Sequence, residues 1–215
     1  PQVLIDAIIA TEDSTFFQHN GFNAARFLKA SLSQIAGGGG GGASTLTMQV
    51  SKNAYTSNVS SGFDGIKRKF TDIYLSIFKI EKAYTKEEIL EFYVNSYYMG
   101  GGAYGVEQAC QNYFGKSVSD INLSEAAMIA GIFQAPGYYD PYIYPENTEE
   151  RRQIVLNLMV RHGYITDEEY DIVYKLTVDK ILKKTNLKMF VFFCVYTCKK
   201  HKKIKLSNIN TWNFC

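Results

Sequence analysis

Only four cysteines occur in 215 residues, Cys110, Cys194, Cys198 and Cys215, and they are unevenly spaced. That excludes a disulfide framework and leaves the redox compartment undetermined. The three histidines, His19, His162 and His201, stand without a second ligand at short spacing, so no zinc site is legible. The chain also lacks an excess of either charge. Its net charge is +2, with most of the excess in the tail, which removes the whole-molecule field that nucleic-acid binding calls for. There is no signal-peptide pattern and no run of about 20 apolar residues, the length of a membrane-spanning helix. A starting Met is missing too, and because Pro1 opens directly into a helical pattern, the expectation is a piece of a longer protein. Convincing strand alternation is absent. What is present is 46% hydrophobic and 20% charged residues, enough for one well-buried core and perhaps two unequal lobes.

The apolar spacing predicts helices almost throughout. Val3, Leu4, Ala7 and Ile8 recur at helical intervals and the pattern breaks near Thr11, placing Glu12 and Asp13 at a helix end. Ala24, Phe27, Leu28, Leu32 and Ile35 form a second apolar face that runs into six glycines, Gly37 to Gly42, where no regular element is expected. Ser44 or Thr45 offers an N-cap to the next helix, and Phe70, Ile73, Ile77 and Ile80 share one side of another. Thr85 with Glu88, Asn122 with Glu125 and Thr166 with Glu169 have capping-box spacing. After about Leu182 an apolar stretch, LKMFVFFCVYTC, meets a basic one, KKHKKIK. This end reads as an atypical or partly disordered terminus, with contact to an anionic lipid surface as the alternative.

Two glycine motifs mislead. The run ending at Ser44 carries Ala43 where a phosphate-binding P-loop needs lysine. Gly100, Gly102 and Gly105 satisfy G-x-G-x-x-G, but they follow a capped helix and not a strand, so a tight interhelical turn is expected.

Four ordered segments carry the chemistry. EDSTFFQHNG fits the pattern EDxxFxxHxG through Glu12, Asp13, Phe16, His19 and Gly21. GASTLTMQVSKN is similar to GGSTxTQQLxKN through Ser44, Thr45, Thr47, Gln49, Lys52 and Asn53. RKFTD resembles RKxxE through Arg68 and Lys69, with Asp72 in the acidic place, and KEEILEFYVN with the stretch from Gly100 to Pro136 completes the set. Together they resemble the peptidoglycan glycosyltransferase domain of class A penicillin-binding proteins and monofunctional transglycosylases.

That resemblance implies a mainly α, lysozyme-like fold in two lobes, with a cleft between a large lobe and a smaller membrane-facing one. Residues 1–182 would form the domain, with the small lobe at roughly 37–85, and 183–215 would be the tail. It implies lipid II, an undecaprenyl-pyrophosphoryl disaccharide-pentapeptide, as substrate, on the extracytoplasmic face of the bacterial cytoplasmic membrane. Its partners would be the growing lipid-linked glycan, the membrane surface and a fused or separate transpeptidase, with no nucleic acid. Glu12 and Asp72 are the implied catalytic pair. Asp13, Phe16, His19, Thr45, Gln49, Lys52, Arg68 and Lys69 are the implied substrate contacts. Asp72 is the implied ligand of a divalent cation, Mg or Mn, and no nucleotide cofactor is expected.

The chemistry of the residue types agrees. Attack by a sugar 4-hydroxyl needs a base, and Glu12 is expected to have a pKa raised by desolvation and by the neighbouring charge of Asp13. A departing diphosphate needs cations, which Lys52, Arg68 and Lys69 supply. Attack opposite the leaving group inverts the anomeric carbon, giving a β-1,4 glycan without a covalent intermediate. Three departures count against full activity: Asp72 is one methylene shorter than glutamate, Met48 replaces the first glutamine of the QQ pair, and the glycine run from Gly37 to Gly42 occupies the segment that in the family links the lobes near the donor site. The alternatives are a lysozyme-like glycan hydrolase using Glu12 as acid, and a catalytically impaired lipid II-binding module.

Overall fold

Helices account for nearly every regular element of the computed structural model, which describes residues 1–37, 42–56 and 62–182. The calls on Gly38 to Gly41 and on the tail from Lys183 onward lie outside the described residues. Pro1–Ile181 form one compact unit and Leu182–Cys215 another; the elements below belong to the first. They are α1 (Gln2–Glu12), α2 (Ala24–Ile35), α3 (Leu46–Tyr55), α4 (Gly62–Leu75), α5 (Glu81–Ala83), α6 (Lys86–Ser96), α7 (Val106–Tyr113), α8 (Leu123–Ile132), α9 (Pro145–Arg161), α10 (Asp167–Tyr174) and α11 (Val178–Ile181). An isolated antiparallel bridge joins Tyr98 to Tyr104, and no strand occurs among the described residues, so the mainly α expectation holds. Among those residues no helix is long and apolar enough to cross a membrane.

Local signals set the helix starts. Thr85, Asn122 and Thr166 each accept a bond from the N3 backbone, and Glu88, Glu125 and Glu169 each return one to the cap residue. Each box satisfies two otherwise orphaned amides. Thr45 caps α3 by accepting from the Met48 amide, which settles the choice between Ser44 and Thr45. The G-x-G-x-x-G segment makes the expected interhelical turn from α6 to α7. Gly105, at φ +77, is required there, because a Cβ would stand 2.9 Å from the Asn95 carbonyl oxygen.

The core is assembled on α8, buried continuously from Ser124 to Ile132, as suits a helix that is apolar all round. α1 and α9 pack against it, burying Leu4, Ala7, Ile8 and Ile9 from one side and Val155, Leu156 and Met159 from the other. Gly131 lets α9 approach: a Cβ there would lie 3.0 Å from Arg151 Cγ. On α6 the buried face is Ile89, Leu90 and Tyr93. Tyr93 and Phe114 are buried, whereas Glu91 and Asn95 sit on the opposite face of α6 in solvent.

The apolar faces of the sequence reading divide in the structure: Ile80 is buried and Ile73 and Ile77 are half-buried, but other apolar residues turn outward. Leu28 and Leu32 of α2 are exposed, as are Phe63, Ile66, Phe70 and Tyr74 of α4. The inward faces are polar instead: Arg26, Lys29 and Ser33 on α2, and Arg68 and Asp72 on α4, all lining one cavity. Amphipathic periodicity fixes the width of a helix face but not which face turns inward.

Cys110 of α7 has no exposed surface, and burial, with smaller contributions from the Glu107 and Glu125 charges, pushes its thiol up to about 12. Thiolate, the reactive species, is therefore scarce at pH 8. Iodoacetamide at that pH is expected to leave the Cys110 peptide unmodified in native protein and to alkylate it in guanidinium, read by peptide mass mapping. Rapid labelling of folded protein would show that α7 opens.

Candidate active site

The EDSTFFQHNG segment begins where α1 ends. The break after Glu12 turns Asp13 to extended backbone, φ −156° and ψ 76°, so consecutive carboxylates point in different directions. Asp13 goes inward and is fully buried. Its Oδ2 accepts from His19 Nε2 at 2.9 Å and from the Leu46 amide at 3.1 Å, and its Oδ1 accepts from Arg26 Nη1 at 3.3 Å. Arg26 also donates to the Glu12 carbonyl at 2.7 Å and the Gly42 carbonyl at 3.0 Å. Asp13 thereby ties the end of α1 to the start of α3 and to α2.

Neighbouring residues of the segment are interior as well. Phe16 is fully buried with the Lys86 ammonium 4.5 Å above its ring. Lys86 in turn donates to the His19 carbonyl at 2.6 Å and to Glu81 Oε1 at 2.7 Å, which also accepts from Thr47 at 2.5 Å. Thr45 is buried and donates to the Gly21 carbonyl at 2.6 Å. Asp13, Phe16, His19 and Thr45, expected as substrate contacts, lie outside the cavity lining and face other parts of the protein.

Glu12 goes the other way, into the cavity. Its Oε2 accepts from Gln49 Nε2 at 2.8 Å. Gln49 is oriented by Tyr93 and Tyr97, whose hydroxyls donate to its Oε1, both at 3.4 Å. Burial foremost, and the charge of Glu12 as well, raises the pKa of both tyrosines, keeping them as donors. On the far side, Arg151 Nη2 stands 4.0 Å from Glu12 Oε1. The like charge expected to crowd Glu12 is neutralised where it sits, because Asp13 faces Arg26 and His19 inside the protein.

A second group forms between α3 and α4. Asp72, almost wholly buried, accepts from Arg68 Nη1 at 2.6 Å and from Thr56 Oγ1 at 2.9 Å. One partner lies a turn earlier on α4 itself, the other at the end of α3. Lys69 donates to Ser44 Oγ at 2.5 Å. Burial first, then the Arg68 charge, holds the Lys69 ammonium below the usual lysine range, with Asp72 opposing and Lys52 adding to the depression. An anion placed here would relieve that repulsion. Both Asp72 oxygens accept protein hydrogen bonds, and no cluster of three metal-binding side chains occurs among the described residues. Asp72 orients Arg68.

Glu12, Gln49, Lys52, Arg68, Asp72, Arg26 and Arg151 share one cavity of about 910 Å³. The structure brings the expected base and cations to a common hollow; Lys69 reaches its edge through Ser44. Arg26 and Arg151 were not found from the sequence. Arg151 precedes an arginine on the buried stripe Thr148, Arg152, Val155, Leu156 and Met159, a spacing that marks Arg152 as interior and its neighbour as the edge of that stripe. Met48, feared as a lost polar contact, is buried and supports the cavity wall.

Comparison with known proteins bears on this geometry. The family described as Transglycosylase matches residues 1–160. Penicillin-binding protein 1A of Streptococcus oralis is 44% identical over 172 residues, covering 80% of this chain and 27% of its own length. Its counterpart in Streptococcus pneumoniae is 41% identical over 171 residues, covering 80% of this chain and 24% of its own length. That in Aquifex aeolicus is 40% identical over 172 residues, covering 80% and 23% respectively. The chain thus spans about a quarter of the length of these relatives. With the family matched across the helices that build the cavity, and its motif residues lining it, the chain belongs to the transglycosylase family, the peptidoglycan glycosyltransferase domain of class A penicillin-binding proteins and monofunctional transglycosylases.

Proposed function

We propose that the chain polymerises lipid II into β-1,4-linked glycan, inverting the anomeric carbon and releasing undecaprenyl pyrophosphate. The observation that carries this reading is the pairing, in one cavity, of an oriented carboxylate with a cationic wall: Glu12 held by Gln49, and Lys52 and Arg68 beside it. A general base must face the proton it removes, and a leaving diphosphate must meet fixed positive charge as its own charge grows. Glu12 takes the proton of the acceptor hydroxyl. The acceptor's hydroxyl oxygen forms a bond to the donor's anomeric carbon, the bond from that carbon to the diphosphate breaks, and the electron pair departs with the diphosphate toward Arg68 and Lys52. Asp72 keeps the guanidinium aimed. No step is routed through a metal ion.

The rival hydrolase would use the same carboxylate as an acid but would leave the cations without a charge to meet. The impaired-module alternative rests on Asp72, Met48 and the glycine run; Asp72 bonds Arg68 and Met48 is buried, and a turnover assay on lipid II decides between the two readings. The outward apolar residues of α4, Phe63, Ile66, Phe70 and Tyr74, support contact with a membrane surface and hence placement at the extracytoplasmic face, where the lipid-linked substrate is anchored. A fused or separate transpeptidase is proposed as the partner that crosslinks the product. Incubating the chain with lipid II and, separately, with finished glycan tests the reading: polymer is expected from the first and no fragments from the second. Fragments without polymer would establish the hydrolase.

A further inference from the structure

We propose that Arg151 is a second catalytic residue, holding the attacking hydroxyl of the acceptor sugar between its Nη2 and Glu12 Oε1; the inference rests on the transferase reading above. Glu12 Oε2 is occupied by Gln49, whereas Oε1 has no protein donor and faces Arg151 Nη2 at 4.0 Å. That gap is too wide for a hydrogen bond and too narrow for two atoms in series. One oxygen fits it. Contacts of about 2.8 Å to each side meet at roughly 90° on a bridging hydroxyl, compatible with donating in one direction and accepting in the other. The O–H donates to the carboxylate, one lone pair accepts from the guanidinium, and the second lone pair is left to attack. As the new carbon–oxygen bond forms and the carbon–diphosphate bond breaks, the proton passes to Oε1 and the electron pair leaves with the diphosphate.

The surroundings set Arg151 apart from an arginine kept for stability. Gly131 leaves room for its Cγ, the Tyr139 ring lies 5.9 Å from its guanidinium carbon, and its side chain is 11% exposed. Yet its Nε is buried without a hydrogen-bond partner. The adjacent Arg152 shows the structural alternative: fully buried, it bonds Glu149, Ser124 and the carbonyls of Val173 and Leu176. Arg151 thus lines the cavity with few bonds to the rest of the protein and its Nη2 turned toward the base, a placement that suits a substrate contact better than a structural role.

The test compares the full chain with Arg151→Gln, Arg151→Lys and Arg151→Ala, assayed on lipid II with melting temperatures in parallel. In Arg151→Gln, kcat is expected to fall by about 100- to 1,000-fold, with KM within about threefold because the diphosphate grip is intact. Methylguanidinium is expected to restore Arg151→Ala at least about tenfold, which a merely structural role would not allow. Arg151→Lys keeps the charge and covers the case in which the glutamine variant fails to fold. It is expected to lose at least about tenfold, because an ammonium on a shorter stem does not reproduce the guanidinium fork. Near wild-type kcat in a folded glutamine or lysine variant, or a loss confined to KM, overturns the proposal. The wild type separates the two readings: if it makes no polymer the transferase reading fails, whereas polymer from wild type and variants alike removes only Arg151.

Discussion

Replacing Glu12 by glutamine is expected to lower the rate of glycan polymerisation by at least about 1,000-fold while substrate affinity stays within about threefold. The substitution keeps the shape of the side chain, and Gln49 can turn its amide to meet the new one, so the cavity wall is preserved. What is lost is the proton acceptor. Because the base acts only as the hydroxyl attacks, its removal appears in kcat and not in binding, and the diphosphate contacts at Lys52 and Arg68 remain. Turnover assays with lipid II, paired with equilibrium binding of the same substrate, separate the two quantities. An unchanged rate would remove Glu12 from the role. A loss confined to affinity would make it a contact residue only.

Asp13→Ala is expected to act on the other side of the ledger, destabilising the fold by about 3 kcal/mol, the lower end of the range for a broken buried ion pair because Arg26 is partly exposed. The Leu46 amide loses its acceptor, and His19 and Arg26 lose their common anion. For a chain of this size the melting temperature falls by roughly 6–12 °C. Residual activity at low temperature is expected to exceed that of Glu12→Gln, since Asp13 does not itself line the cavity. Thermal unfolding and a cold activity assay check both halves. A melting temperature within a degree or two of wild type would mean that the buried network contributes little.

These two neighbours show how far the sequence could be read. The pairing of glutamate with aspartate, and its place at a helix end, were legible from periodicity. Which carboxylate faced substrate became a physical statement only with the backbone turn at Asp13. Capping boxes were legible without error because every group in them lies within four residues. The orientation of α2 and α4 was not, since an apolar stripe implies burial only when its outer surroundings are water. Their exposed stripes and polar inner faces are what a cavity beside an apolar surface demands. Arg26 and Arg151 escaped notice for a related reason: each meets Glu12 or Asp13 through contacts across the fold, and nothing local distinguishes them from solvated helix residues. Asp72 shows what the sequence could not: the shorter side chain bonds Arg68 one turn back on its own helix and Thr56 at the end of α3.

The most direct measurement is a crystal structure of Glu12→Gln bound to lipid II. The acceptor hydroxyl is expected within about 3.2 Å of the residue 12 side chain, with the donor diphosphate against Lys52 and Arg68 in the same cavity. A diphosphate bound elsewhere on the protein, or a hydroxyl well away from residue 12, would contradict the assignment of base and cationic wall to one reaction.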